Sequence, residues 1–442
     1  MKLLHYMMMA LGVILTSLFI FPVYLGAINT KLIMAVVGLA PFVLYLLRSM
    51  KSRVGKAFNL IFLVLFAGGV SLTSFMAIVI NNTNDTTFVS YIYSMLVWLI
   101  GAYTLILYLK KIHGELSFEV ICMYLVVTGA MQCILALLIN SYQGVENFFV
   151  RWHLLNSGDV EYARRADRLF GVGCAYDPGG IRLAAISVCA FYFIRSIIER
   201  FKLWANLLYI AGIYLIFVVG NMISRTTMVG FVIGLLYVFY NSGIWGLRIK
   251  DNYRRPLRFL GWSVVGLVLV ISVLYNTDLK FRTNFRFGFE GFVSLVETGE
   301  WKVKSNESLK SMYRFPDNMH TWIVGDGYID STDKDPYYVG KRYKFYYMAT
   351  DVGYLRFIYY GGVIMLFSFL AFMAWAAQTC CSYFPRNKQL FGVLYVLQLA
   401  VWFKVATDIF CIFAIFIALG IKLEECVNLQ LNYKKSDTED EV

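Results

Sequence analysis

The residues best placed to do chemistry are arginines that interrupt apolar sequence. Arg225 is the only basic residue of Ser224-Arg225-Thr226-Thr227, a short polar break between two apolar stretches. A guanidinium at such a break either snorkels to anchor the membrane interface or turns its planar fork into a cavity, where it fits phosphate. Further back, Arg164, Arg165 and Arg168 are spaced so that on one helix Arg168 would lie a turn beyond both others. Like charges on one face call for an anion, which Glu161 and Asp167 can supply internally or a ligand can supply from outside. The run Arg168-Leu169-Phe170-Gly171-Val172-Gly173 leads to Asp177-Pro178-Gly179-Gly180-Ile181-Arg182. The glycines and Pro178 predict a constrained turn, with the next helix starting near Arg182. Its free N–H groups beside the arginines would make an anion site.

A second group runs from Arg314-Phe315-Pro316 through His320 to Gly325-Asp326-Gly327, and ends in Thr350-Asp351-Val352-Gly353-Tyr354-Leu355-Arg356. On a helix, Asp351 and Arg356 would point about 140° apart and could not pair simply, so each would need another partner or a ligand. His320 is either a structural hydrogen bonder or a base. Asp333-Lys334-Asp335 has the look of a carboxylate pair for a metal, but acids at this spacing are common in loops, and no metal is expected there. With 4 His and 8 Cys in the chain, no histidines at metal-ligand spacing and only Cys174 in a long loop, neither a zinc site nor a disulfide framework is expected. No cofactor is expected either. The many tyrosines between Tyr313 and Tyr354 suit both sugar stacking and a headgroup belt.

What must position these residues is membrane-spanning helix. The chain is 59% hydrophobic and 15% charged, with a mean hydropathy of +0.63, which excludes an ordinary soluble enzyme. About twelve apolar runs are long enough to span, at about 5–24, 32–47, 57–80, 89–109, 119–140, 183–197, 203–221, 227–240, 259–275, 352–376, 390–403 and 410–422. The fold class expected is an all-α polytopic membrane protein with two long extracytoplasmic loops. It divides into helices over 1–140, a loop over 141–182, helices over 183–275, a large loop over 276–351, helices over 352–422 and a tail over 423–442. Lysines and arginines cluster in alternate connections, as in Arg48, Lys51, Arg53 and Lys56 or Arg248, Lys250, Arg254, Arg255 and Arg258. The short turns on the other side hold only Lys31, Arg225 and Lys404, so both termini are expected to be cytoplasmic. Most of the net charge of +12 is therefore a topology signal rather than a nucleic-acid surface, and no nucleic-acid partner is expected. The start of the chain reads as the first span rather than a cleaved signal. The polar end from Asn432 to Val442 reads as disordered.

The combination of Arg168 with Phe170-Gly171 and Asp177-Pro178, of Ser224-Arg225-Thr226, and of Gly325-Asp326-Gly327 followed by Thr350-Asp351-Val352-Gly353-Tyr354-Leu355 resembles the bacterial O-antigen and oligosaccharide repeat-unit polymerases (Wzy-type), whose relatives include the O-antigen ligases. The resemblance implies a GT-C-like, inverting, metal-independent glycosyltransferase of the bacterial cytoplasmic (inner) membrane. Its substrate would be an undecaprenyl-pyrophosphate-linked oligosaccharide, and its partners a chain-length regulator and a flippase. Arg168, Arg182 and Arg225, with Arg165, Arg314 and Arg356, would bind pyrophosphate or substrate. His320 or Asp351 would act as base or orienting group. Ligases of this superfamily typically show histidine beside asparagine before a late span, where this chain reads Thr350-Asp351-Val352, so polymerase is preferred to ligase. A lipid-linked-oligosaccharide flippase and a non-catalytic export partner are the alternatives from other classes.

Overall fold

The computed structural model describes residues 2–26, 28–51, 56–246 and 248–439. Arg53 and the last residues of the tail, Asp440, Glu441 and Val442, lie outside the described residues. The helices in chain order are α1 (Lys2–Ile20), α2 (Thr30–Lys51), α3 (Lys56–Asn81), α4 (Tyr91–His113), α5 (Phe118–Ser141), α6 (Gln143–Arg151), α7 (Ser157–Arg165), α8 (Tyr176–Arg200), α9 (Leu203–Ile223), α10 (Thr226–Ser242), α11 (Asp251–Thr277), α12 (Leu279–Gly288), α13 (Glu290–Thr298), α14 (Lys304–Met312), α15 (Met319–Ile323), α16 (Gly353–Tyr383), α17 (Lys388–Val401) and α18 (Phe410–Glu439). Strand pairing among the described residues is confined to a two-residue hairpin, Tyr24 with Asn29 and Leu25 with Ile28, and an isolated bridge between Asp330 and Tyr346.

Among the described residues, nine helices are long and apolar enough to cross a membrane, so the chain is a membrane protein. The remaining expected spans coincide with α10, α17 and α18. The first two are apolar but only 17 and 14 residues long. α18 meets Lys422, Glu424 and Glu425 soon after its apolar start. It also continues to Glu439, where composition argued for disorder; beyond Gly420 the sequence holds no glycine or proline to interrupt its hydrogen-bond ladder. The two long connections carry helices of their own, α6 and α7 in the first and α12 to α15 in the second. Short polar side chains start several of them: Asp278 accepts from the N–H groups of Lys280 and Phe281 at the start of α12 (2.8 and 3.2 Å), and Asn318 from that of Thr321 at the start of α15 (2.8 Å).

Two compact units divide the chain. The first comprises Met1–Thr30, Ser117–Ser311 and Val396–Ile409. At its centre α8 buries 78% of its most apolar stretch, whereas α11 buries only 6% and leaves its sides to lipid. α8 and α10 approach so closely that a Cβ at Gly230 would lie 2.1 Å from the Ala184 carbonyl oxygen, the small-residue packing that membrane helices use where lipid supplies no hydrophobic contrast. The second unit comprises Lys31–Leu116, Met312–Tyr395 and Phe410–Val442. Here α3 packs along α16 through a hydrogen bond between Ser74 Oγ and Tyr360 Oη (2.7 Å). α16 breaks at Gly361 and Gly362, the latter at φ +69°. The break frees two carbonyls, and the Gly325-Asp326-Gly327 turn satisfies them: Asp326 N–H donates to Tyr359 (2.6 Å) and Gly327 N–H to Tyr360 (3.1 Å).

Candidate functional site

The first unit gathers charge where α8 begins and where α9 passes into α10. The helix expected to start near Arg182 starts at Tyr176, so Asp177, Pro178, Gly179 and Gly180 form its first turn. Pro178 is tolerated there because a first-turn N–H has no intrahelical partner to lose. A Cβ at Gly180 would meet Ser224 Cβ at 2.6 Å, so glycine is what lets the Ser224-Arg225-Thr226 break reach Asp177. Asp177 Oδ1 then accepts from Ser224 Oγ (2.8 Å), Thr226 Oγ1 (3.0 Å) and Lys404 Nζ (3.4 Å). Lys404 is held in place by the turn after α17, where buried Gln398 donates to the Thr407 carbonyl (2.7 Å) and accepts from the Ile409 N–H (2.8 Å).

Arg225 points the other way. Its Nε donates to the Phe287 carbonyl (2.8 Å) and its Nη1 to Ser305 Oγ (2.7 Å). Glu290 Oε2 lies 2.7 Å from Nη2, yet that oxygen has no directed hydrogen bond, so the contact is ionic. Burial pulls the Arg225 guanidinium below its ordinary range, with Glu290 opposing and Arg168 adding repulsion. Arg168 and Arg225 both lie over the ring of Phe287, at 5.1 and 4.4 Å from its centroid. Arg168 reaches this ring because it is not in a helix. α7 ends at Arg165, Asp167 is left-handed (φ 54°), and the Leu169 N–H donates to the Met222 carbonyl (3.0 Å). The Arg168 Nε is enclosed with no hydrogen-bond partner among the described residues.

Arg164 and Arg165 go elsewhere. The expectation that Arg164, Arg165 and Arg168 share a helical face fails at the end of α7. Arg164 pairs with Glu146 and Arg165 with Glu161, so both are neutralised within the chain. Arg182 lies further along α8 beside the buried Cys174 thiol.

In the second unit, Arg356 is buried and holds three groups: Asp330 (2.6 Å), the Ile329 carbonyl (3.3 Å) and Asp351 (3.7 Å), with the Tyr346 ring 4.3 Å from the guanidinium. The expectation that Asp351 and Arg356 cannot pair is overturned. α16 begins at Gly353 after extended Val352, so Asp351 is not on the helix and helical angles do not govern it. Asp326 accepts from Thr321 Oγ1 (2.5 Å) and Tyr347 Oη (3.1 Å). Burial first, and then the Asp326 carboxylate, raise the Tyr347 phenol well above its ordinary range. Arg314 is exposed and donates to the Met348 carbonyl (3.3 Å). His320 is exposed on α15. Asp335 accepts from Tyr328 Oη (2.5 Å), and among the described residues no His, Cys, Asp and Glu cluster could hold a metal ion.

Sequence reasoning missed Lys404, Glu290 and Phe287 on the first unit and Asp330 on the second. Lys404 carried a signal, as the lone basic residue of its turn, but was used only to orient the chain. Compared with known proteins, the chain matches no family model, no curated protein and no solved structure.

Proposed function

We propose that this chain is an inverting, metal-independent membrane glycosyltransferase of the GT-C type that polymerises undecaprenyl-pyrophosphate-linked oligosaccharide repeat units. In this reading about twelve helices cross the bacterial cytoplasmic membrane, both termini are cytoplasmic, and the two long connections face outward. A chain-length regulator and a flippase remain its proposed partners. The observation that carries the reading is the pair Arg168 and Arg225 over one ring, with Glu290 the only carboxylate among the described residues in ion-pair range of either. Adjacent guanidinium groups with one carboxylate between them favour an anion such as pyrophosphate.

In the reaction, an acceptor hydroxyl oxygen attacks the anomeric carbon as the glycosidic C–O bond to pyrophosphate breaks. The lipid pyrophosphate leaves with the electron pair, and the hydroxyl proton passes to a base. Arg168 and Arg225 would stabilise the charge on the leaving group, the kind of contribution whose loss costs roughly 10²–10³ in rate. His320 or Asp351 enters this reading through the resemblance alone, as base or orienting group.

Purified protein given lipid-linked repeat units in detergent should produce a ladder of longer glycans, and R168A and R225A should shorten it at matched expression. A flippase would form no glycosidic bond, and unchanged ladders in both variants would remove these arginines from the site.

A further inference from the structure

Between α9 and α11, in the first unit, an open cleft of about 720 Å³ is lined by Arg254, Arg255, Arg258 and Trp262. It shares Leu207, Phe259 and Ser263 with an apolar trench of about 360 Å³ that follows α11 past Gly266 and Val270 to Leu274. Arg255, Phe259, Ser263, Gly266, Val270 and Leu274 recur at helical spacing, so one stripe of α11 is basic at its start and apolar beyond. The fifteen steps from Phe259 to Leu274 rise about 22 Å, longer than the roughly 15 Å of one hydrocarbon leaflet.

The carboxylates around the basic end are already engaged. Asp251 pairs with Arg254 (3.2 Å), and Glu199 with Arg195 (3.0 Å). Arg255 and Arg258 have no ion-pair partner among the described residues and are exposed. Trp262 is 78% exposed, an indole at the level where a membrane interface meets a helix. A small anion would use the arginines and leave the trench idle, and a neutral lipid would do the reverse. We infer that this groove binds an anionic phospholipid, its phosphate on Arg255 and Arg258 and an acyl chain in the trench between α9 and α11. The site lies in the leaflet that meets the start of α11 and does not depend on the proposed transferase activity.

The test is native mass spectrometry of the full chain released from detergent, with phosphatidylglycerol and phosphatidylcholine of identical acyl chains offered together. The wild type should retain phosphatidylglycerol preferentially. R255Q/R258Q should weaken that retention roughly thirtyfold, the factor two basic side chains supply near a membrane surface. G266F keeps both arginines, and nothing lies within 4 Å of a Cβ at Gly266. Its side chain therefore starts in the open trench and should also lower retention. Glycerol 3-phosphate, a headgroup without chains, should not displace the lipid. Equal retention of the two lipids by the wild type overturns the inference, as does undiminished phosphatidylglycerol on either variant. So does competition by glycerol 3-phosphate, which would mark a soluble-phosphate site, or a lipid-free dimer, which would mark an interface between copies. Should the double arginine variant fail to fold, the wild-type competition and G266F decide.

Discussion

Replacing Asp177 with Asn keeps the shape of the side chain and removes the charge that Lys404 faces. The carboxylate is 16% exposed and the lysine 28%, so the pair is neither fully buried nor free in water. Breaking a fully buried pair costs about 3–5 kcal/mol and an exposed one about 0.2–1 kcal/mol, which places D177N near 2 kcal/mol. The Ser224 and Thr226 hydroxyls still find an acceptor in the amide oxygen, so most of that loss belongs to the lysine. Lys404→Gln alone should cost about 1 kcal/mol, because the hydroxyls continue to satisfy Asp177. Because both changes remove the same contact, the double variant should be little worse than D177N, with a coupling of about 1 kcal/mol in a double-mutant cycle. The measurement is unfolding of the purified protein in mixed micelles at increasing fractions of dodecyl sulfate, with helicity as readout. Strict additivity of D177N and K404Q would refute the contact and the position of the turn after α17.

G362A should destabilise the chain by more than about 2 kcal/mol, because φ is +69° and a Cβ would lie 2.0 Å from the Ile323 carbonyl oxygen. Limited proteolysis should then cut near Gly325, and wild-type protection there would count against the docked turn. R356K keeps the charge but loses the fork that holds Asp330, Ile329 and Asp351. It should cost about 1 kcal/mol, the net worth of a lost hydrogen bond, and speed hydrogen exchange across 326–351, whereas unchanged exchange would mean the fork is not what orders the segment. Because Tyr347 is raised in the folded state, its contribution to stability is complete below the unfolded tyrosine value of about 10. That contribution is lost as pH climbs from there toward the folded value. Y347F should flatten that alkaline loss, and an unchanged pH profile would show that Tyr347 does not govern it.

Period and apolarity made the helices legible, because a lipid-facing span must be apolar along its whole length and its ends are marked by charge. They located Arg225 for the same reason, as a charge where the apolar pattern breaks, whereas Arg168 was singled out by a helical spacing with Arg164 and Arg165 that the end of α7 does not keep. What escaped was pairing. Arg164 finds Glu146 on the preceding helix, a partner no spacing rule within α7 could nominate. The Asp351–Arg356 pair was misjudged because helical geometry was applied across a helix start, and the start of α8 was misplaced because Pro178 and the glycines read as a turn. In fact proline suits a first turn, and Gly180 is required by the approach of Ser224. Lys404 depends on Gln398 clamping a turn, a contact that leaves no periodic trace.

Helix and connection are not separable in the second unit. The break in α16 leaves Tyr359 and Tyr360 carbonyls that an apolar surrounding cannot satisfy, and Gly325-Asp326-Gly327 satisfies them from a segment distant in sequence. The same turn is pinned from α3 and the residues after it, where Asn81 Nδ2 donates to the Gly325 carbonyl (3.0 Å) and Thr83 Oγ1 to that of Gly327 (3.0 Å). Asp326 is therefore placed by the helices and not by the flexibility of a long loop. The backbone that carries it can shift only if α16 exchanges its bent ladder for unpaired carbonyls, each costing about 1–3 kcal/mol. A carboxylate so fixed, with Thr321 and Tyr347 already donating to it, is built to hold the segment still.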